Sequence, residues 1–435
     1  MKRLIIDNFI TLKHVDIEIG GFTVLIGQQA SGKSIIAKLC YFFTEFATES
    51  LFDGIKNNSR KNKVDKEIIS NFVSLFDKET WQDKPFKITF RYDEYHGITI
   101  EKVKVKSSIK VTLLDCTNNF FTQGKKKFIR YQNHVPSDEY TSLSKMFHNF
   151  KYDELRYFQH CDTLFHFNSY IPASRAIFST LSENIFSLLS ETGRIDKMIS
   201  EFGNVYSLAK DINNKKISRK ILDRIEAYLS DEQQDVLKYV DEIIYSILHG
   251  EFRSINGDEY LETKEGILSL INTSSGQQES LPLLITVRMI SYFWSDFPGN
   301  YYVEEPEAHL FPEAQYNVVK VLALLRSCYE DAPNYFITTH SPYVLTAINN
   351  LLYVGKIREL DNKTSDLEKD FNPYLGIDFK HLNAYSIIDG YSKSILDEES
   401  ELIDATLIDS VSSVFSDEFD KLLDILYSED EEGNE

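Results

Sequence analysis

The eight residues GQQASGKS, Gly27 to Ser34, constrain this chain more than any other stretch. They fill every fixed position of the pattern G-x-x-x-x-G-K-[ST], with the apolar run FTVLI before them and IIAKL after. Two glycines let such a loop turn its backbone N–H groups inward, and the following helix adds the positive end of its dipole, so the unit cradles phosphate oxygens. Gly27, Gln28, Gln29, Ala30, Ser31, Gly32, Lys33, Ser34 and Ile35 are therefore the expected nucleotide contacts. Lys33 is expected to reach the β- and γ-phosphates, and the Ser34 hydroxyl to ligate magnesium. A strand feeding a loop feeding a helix also fixes the fold class as α/β.

The remaining α/β signals agree with that class. RLIIDNFITL and HVDIEI read as strands before the loop, and β-like runs separated by polar turns (FKITFRY, GITIEKVKVK, KVTLLD) fill much of residues 50–170. A three- and four-residue apolar period then appears twice, through Ile217, Ile221, Leu222, Ile225, Tyr228 and Leu229, and through Val236, Leu237, Val240, Ile243, Ile244 and Ile247. The expected organisation is an N-terminal half of the core with a β-rich insertion (1–175), a helical insertion (176–265), a C-terminal half (266–395) and an acidic helix and tail (396–435). The tail carries Leu422, Leu423, Ile425 and Leu426, which read either as one face of a solvated helix or as a docking segment for a basic partner.

Three further segments carry chemistry. In YYVEEPEAHLFP a strand ends in Glu304 and Glu305, and Pro306 stops it. One carboxylate at a strand tip can hold a metal ion while its neighbour orients and deprotonates water, so Glu304 is assigned to magnesium and Glu305 to the water. About 35 residues on, His340 ends the apolar strand of NYFITTH, where it could sense a γ-phosphate if the two strands are neighbours. In NTSSGQQES, Ser274, Ser275, Gly276 and Gln277 precede a helix, and hydroxyls with a glycine at a helix N-terminus suit an anion.

In order, GQQASGKS, TSSGQQ, VEEPEAHL and TTHSP resemble the Walker A, signature, Walker B with D-loop, and H-loop of ABC-type ATPase heads, the class that includes SMC and RecF proteins. EEPEAHLFP and TTHSPYVL, with YIPASRAIFSTL from Tyr170, look more specifically like the ATPases of overcoming-lysogenization-defect nucleases and of the anti-phage systems Septu and PARIS. The resemblance covers residues 1–48, 166–182 and 266–355 well. It implies an ABC-type P-loop NTPase head with a mixed or parallel sheet and an inserted helical lobe. It also implies ATP and Mg2+ as cofactors, and a homodimer, or higher homo-oligomer, that sandwiches nucleotide between one subunit's Walker loop and the other's Ser274, Gly276 and Gln277. Ala308, His309 and Leu310 would be the D-loop at that interface. Gln29 and Ala30 stand where many relatives have Asn and Gly, and neither Gln123, Gln132 nor Gln159 makes a convincing lid glutamine.

About 95 residues follow His340, without the carboxylate pattern of a Toprim nuclease. The implied role is thus ATP-dependent control of a separate effector, a nuclease or toxin, in anti-phage defence, with a phage-encoded trigger. The alternative is a DNA-repair or chromosome-maintenance ATPase that clamps DNA itself; an ABC transporter subunit fits less well. A net charge of -20 argues against a non-specific nucleic-acid coat, so any such contact is local. Lys102, Lys104, Lys106 and Lys110, which alternation in KVKVK would align on one strand face, with Lys125, Lys126 and Lys127, are the candidates; a solvated face is the other reading. The N-terminus lacks a signal-peptide pattern and no apolar run is long enough to span a bilayer, so the cytoplasm is expected. Cys40, Cys116, Cys161 and Cys328 are too scattered for a zinc or redox motif.

Overall fold

Sixteen strands appear in the computed structural model, which describes residues 1–134, 142–155, 164–180, 196–213, 229–255, 258–291, 299–329, 332–360, 367 and 369–404. They are β1 (Lys2–Phe9), β2 (Leu12–Ile19), β3 (Phe22–Ile26), β4 (Phe86–Arg91), β5 (Gly97–Lys102), β6 (Lys110–Leu113), β7 (Phe167–Ile171), β8 (Glu251–Ile255), β9 (Asp258–Thr263), β10 (Gly266–Ser269), β11 (Gly299–Glu304), β12 (Asn334–Thr339), β13 (Leu382–Ile388), β14 (Tyr391–Ser394), β15 (Leu396–Asp397) and β16 (Leu402–Ile403). Eleven form one sheet in the order β6-β5-β4-β1-β2-β14-β13-β3-β12-β11-β7.

One end of this sheet is parallel: β13, β3, β12, β11 and β7 all run the same way. Parallel strands are covered on both faces and so read as continuous apolar runs, and every residue of β3 and β11 is buried. Period-two alternation sends their side chains to opposite layers. Val24, Val303 and Ile337 join a core with the helices Asp231–Leu248, Ser275–Ile290, Pro312–Ser327 and Pro342–Arg358. Leu25, Tyr302 and Phe336 face the helices Lys33–Phe42, Thr48–Lys56 and Lys61–Leu75. The other end of the sheet is antiparallel through β1, β2, β4, β5 and β6, and there burial alternates, as in β4. The α/β class with a mixed sheet is therefore as expected.

Two sequence readings need correction. KVKVK is not a strand with a lysine face: β5 stops at Lys102 and residues 103–109 reverse the chain, because β6 pairs antiparallel with β5 at Glu101 and Lys110. Val103 and Val105 are exposed, whereas the Lys102 ammonium is buried and donates to the Gln82 carbonyl. Within the span read as helical, β8 and β9 form a three-stranded sheet with β10. The second periodic set does face the core, with Val236, Leu237, Val240, Ile243, Ile244 and Ile247 all buried. The first set except Leu229, and the acidic tail beyond residue 404, lie outside the described residues. Cys40, Cys116 and Cys328 are free thiols; Cys161 lies outside the described residues.

Candidate active site

Parallel strands put their carboxyl ends at one edge, where α/β sheets bind ligands. β3 runs into Gly27, β11 into Glu305 and β12 into His340, and β12 lies between the other two, pairing Thr339 with Ile26 and Thr338 with Glu304. The sequence segments expected to act together, apart from the signature turn, thus converge by strand register.

The loop after β3 is specified by its glycines. Gly32 has φ +101° and a Cβ there would stand 2.6 Å from the Leu12 side chain; at Gly27 a Cβ would stand 2.6 Å from the Ile387 carbonyl. Ala30, at φ 62°, is also left-handed. The Lys33 ammonium, almost fully buried, donates to the carbonyls of Gly27 (2.7 Å) and Gln28 (2.9 Å), holding the loop around itself. Burial lowers its pKa, and the charges of Glu305, Glu307 and Glu304 work the other way.

At the end of β11, Glu304 is buried and its Oε2 accepts from the Ala173 N–H at 3.2 Å. The buried Tyr170 hydroxyl interacts with this carboxylate, but Oε1 has no donor in hydrogen-bond geometry. A buried carboxylate oxygen left unpaired is costly unless a cation completes it, so Glu304 fits a magnesium ligand.

Glu305 turns sharply: its φ is +42°, which is strained for a non-glycine residue. Its N–H still donates to Thr338 O at 2.8 Å, as if the ladder continued, while its side chain swings to His340, with Oε1 2.9 Å from Nε2. The other ring nitrogen, Nδ1, lies 3.3 Å from the Lys33 ammonium. An ammonium only donates, so Nδ1 is placed to accept from Lys33 and Nε2 to donate to Glu305. Lys33, His340 and Glu305 thereby form one polar chain across three strands.

Residues that sequence reasoning did not single out support this chain. Glu307 Oε1 accepts from the Thr339 hydroxyl (2.6 Å) and the His340 N–H (2.8 Å), fixing where the histidine leaves β12. Its position two residues after Glu305, inside EEPE, was the available signal. The end of β13 and its turn into β14, Ser386 to Gly390, join Thr11, Gly27 to Ser31, His340 and Pro342 around a cavity of about 740 Å3, roomy enough for a nucleotide. Nothing in the local pattern of SIIDG announces that location. Arg175, wholly buried, donates to the carbonyls of Glu304 (2.5 Å) and Glu305 (3.0 Å). Its signal was an arginine within the otherwise uncharged YIPASRAIF.

The signature segment folds as expected at a helix start but stands elsewhere. Ser274 caps the helix Ser275–Ile290 in a reciprocal box with Gln277, whose amide also donates to Leu248 O at 2.6 Å. Gly276 packs against the His309 carbonyl, which a Cβ would approach to 2.8 Å. Among the described residues, the cavity's wall includes Gly27 to Ser31, His340 and the β13–β14 turn; Ser274, Ser275, Gly276 and Gln277 do not line it, and neither do Lys33, Ser34, Glu304 and Glu305. Gln123 and Gln132 lie on the helix Asp115–His134 and do not line it either, and Gln159 lies outside the described residues.

A P-loop at one strand end, beside a strand-end carboxylate pair and a histidine, defines a nucleoside-triphosphate hydrolase. The chain belongs to the AAA ATPase domain family (AAA_15), whose model matches residues 1–345, and it is an ATPase. No curated protein matches it. Among solved structures it is similar to an SmcHead bound to the C-winged helix domain of ScpA (12% identity, 92% of this chain and 99% of that chain, TM-score 0.38). It is similar also to the recombination mediator protein RecF-ATPrS (14%, 90% and 97%, 0.34) and to the SMC head domain from Thermotoga maritima (12%, 91% and 98%, 0.34).

Proposed function

We propose that this ATPase is an ABC-type head that closes as a dimer on ATP, hydrolyses it with Glu305, and passes its nucleotide state to a separate effector, a nuclease or toxin, in anti-phage defence. The observation that carries the dimer is the packing of the signature turn on the D-loop segment, Gly276 against the His309 carbonyl. A second copy could bring its own Ser274, Gly276 and Gln277 over the phosphates. The same region bears apolar side chains left in solvent: Phe311 beside the D-loop is 80% exposed, and Ile271 before the signature is 61% exposed.

In this reading the P-loop amides and Lys33 bind the β- and γ-phosphates, and Glu304 and Ser34 hold magnesium. When bound, the ion would neutralise phosphate charge. Glu305 orients water and takes its proton, and His340, with its proton on Nε2, keeps the Glu305 carboxylate in place and Nδ1 toward Lys33. No helix among the described residues is long and apolar enough to cross a membrane.

The effector role draws on the motif likeness of EEPEAHLFP and TTHSPYVL to anti-phage ATPases. Affinity capture from the native host tests it. Recovery of a stoichiometric effector whose activity depends on ATP is the expected result. Co-sedimentation with DNA in the absence of any partner protein would replace this role with a DNA-clamping one.

A further inference from the structure

The signature helix and the hydrolytic carboxylates meet at one buried side chain. Arg175 follows β7 in the chain, and its guanidinium donates on one side to Pro172 O (3.0 Å), Glu304 O (2.5 Å) and Glu305 O (3.0 Å). On the other side its Nε donates to the Glu279 carbonyl at 3.1 Å, and its backbone N–H donates to Glu279 Oε2 at 3.1 Å. Glu279 sits just over one turn beyond the Ser274 cap, on the helix that the signature turn begins. A buried guanidinium demands partners for its fixed fork of donors, and here they are backbone carbonyls of two separate elements.

The helix is built to receive this contact. Pro282 has no N–H for the carbonyl four residues back, Gln278, and the freed acceptor takes the Ser179 hydroxyl at 2.9 Å. Two successive carbonyls, of Gln278 and Glu279, are thus tied to the segment that carries Arg175. Burial works against the guanidinium's charge, and the carboxylates of Glu279, foremost, then Glu307, Glu304 and Glu305 favour it.

We infer that Arg175 is a positioning residue that links the signature helix to the strained Glu305 turn, so that engagement of the signature loop sets the hydrolytic geometry of the same subunit. This rests on the dimer reading above. If the signature loop serves the partner's nucleotide while Glu305 serves its own, the Arg175 link runs from one composite site to the other. ATP at one site then favours hydrolysis at the second, and turnover rises cooperatively with ATP.

The test compares wild type, Arg175→Lys and Glu279→Gln by ATP binding and by steady-state hydrolysis across ATP concentration. Lysine keeps the charge but loses the fork. A bound geometry displaced by about 1 Å costs on the order of a hundredfold in rate. Arg175→Lys is accordingly expected to bind ATP within about threefold of wild type, lose ten- to a hundredfold in kcat, and give a Hill coefficient of one. Glu279→Gln keeps an acceptor for the Arg175 N–H but removes the negative charge 3.9 Å from its Nε, and is expected to keep most of kcat and lose part of the cooperativity; it decides the question alone if Arg175→Lys does not fold. A wild-type Hill coefficient of one overturns the link, as do unchanged kcat and cooperativity in both variants. A loss of kcat matched by an equal loss of ATP affinity in Arg175→Lys overturns it too, by marking general damage. Failure of wild type to dimerise with ATP instead refutes the reading on which the inference stands.

Discussion

Replacing Glu305 by glutamine isolates the chemical step from everything that precedes it. The carboxamide oxygen can still accept the proton that His340 Nε2 directs at it across 2.9 Å, so the Lys33–His340–Glu305 chain keeps its geometry. What is lost is a base and one negative charge near Lys33, whose pKa that charge supports. A positioned general base contributes about 10^2- to 10^4-fold, or roughly 3–5 kcal/mol of barrier. Glu305→Gln is therefore expected to hydrolyse ATP about 10^2- to 10^4-fold more slowly while binding it at least as tightly as wild type. Single-turnover hydrolysis of radiolabelled ATP, with binding measured in parallel by a fluorescent ATP analogue, separates the two quantities. Turnover at the wild-type rate would mean that another group takes the proton. Loss of binding would mean that Glu305 acts in the ground state, and the assignment of the base would fail.

Lys33→Ala removes the donor that fills the P-loop as well as the phosphate contact, and ATP affinity is expected to fall by at least about a hundredfold in isothermal titration, at 1.5–3 kcal/mol per charged hydrogen bond. His340→Ala leaves the P-loop intact but unfixes Glu305, so kcat should drop about 10^2-fold with ATP affinity near wild type, as rates against ATP concentration would show. Away from the site, burial pushes the Glu45 carboxyl up to about 7, only partly offset by its hydrogen bond from Asn168. A raised carboxyl pKa gives stability that is full below about 4.5 and is lost as pH rises through about 7. Glu45→Gln should thus gain stability over wild type between pH 5 and 8. Linkage sets a ceiling of about 3 kcal/mol, reduced to about 1–2 by the partial exposure of Glu45, and urea melts at the two pH values measure it.

What could be read from the sequence was whatever a short segment encodes by itself. Gly27, Gly32 and Lys33 specify a loop through local backbone needs, and an apolar strand ending in Glu304 and Glu305 announces the edge of a sheet. His340 joined them because strand order in a parallel sheet aligns carboxyl ends. Alternation in KVKVK misled because period two says nothing about whether a partner strand exists, and here the chain had to turn back to form β6. Arg175 escaped notice for a related reason: three of its acceptors are main-chain carbonyls more than a hundred residues away, Glu279, Glu304 and Glu305, which have no residue-type signature. The segment Ser386–Gly390 reaches the cavity only because β13 pairs with β3, a long-range register that no local pattern records.

Mixing two inactive variants tests the shared site most directly. Lys33→Ala disables the P-loop and Ser274→Arg blocks the signature turn, so each homodimer has two broken composite sites. A mixed dimer pairs the intact P-loop of the Ser274→Arg subunit with the intact signature of the Lys33→Ala subunit. With random exchange about half the dimers are mixed and one of their two sites is whole, so ATPase activity should rise above that of either variant alone, with about a quarter of wild type as the ceiling, because the second site gives the whole one no cooperative support. A mixture no more active than its separate components would contradict the account.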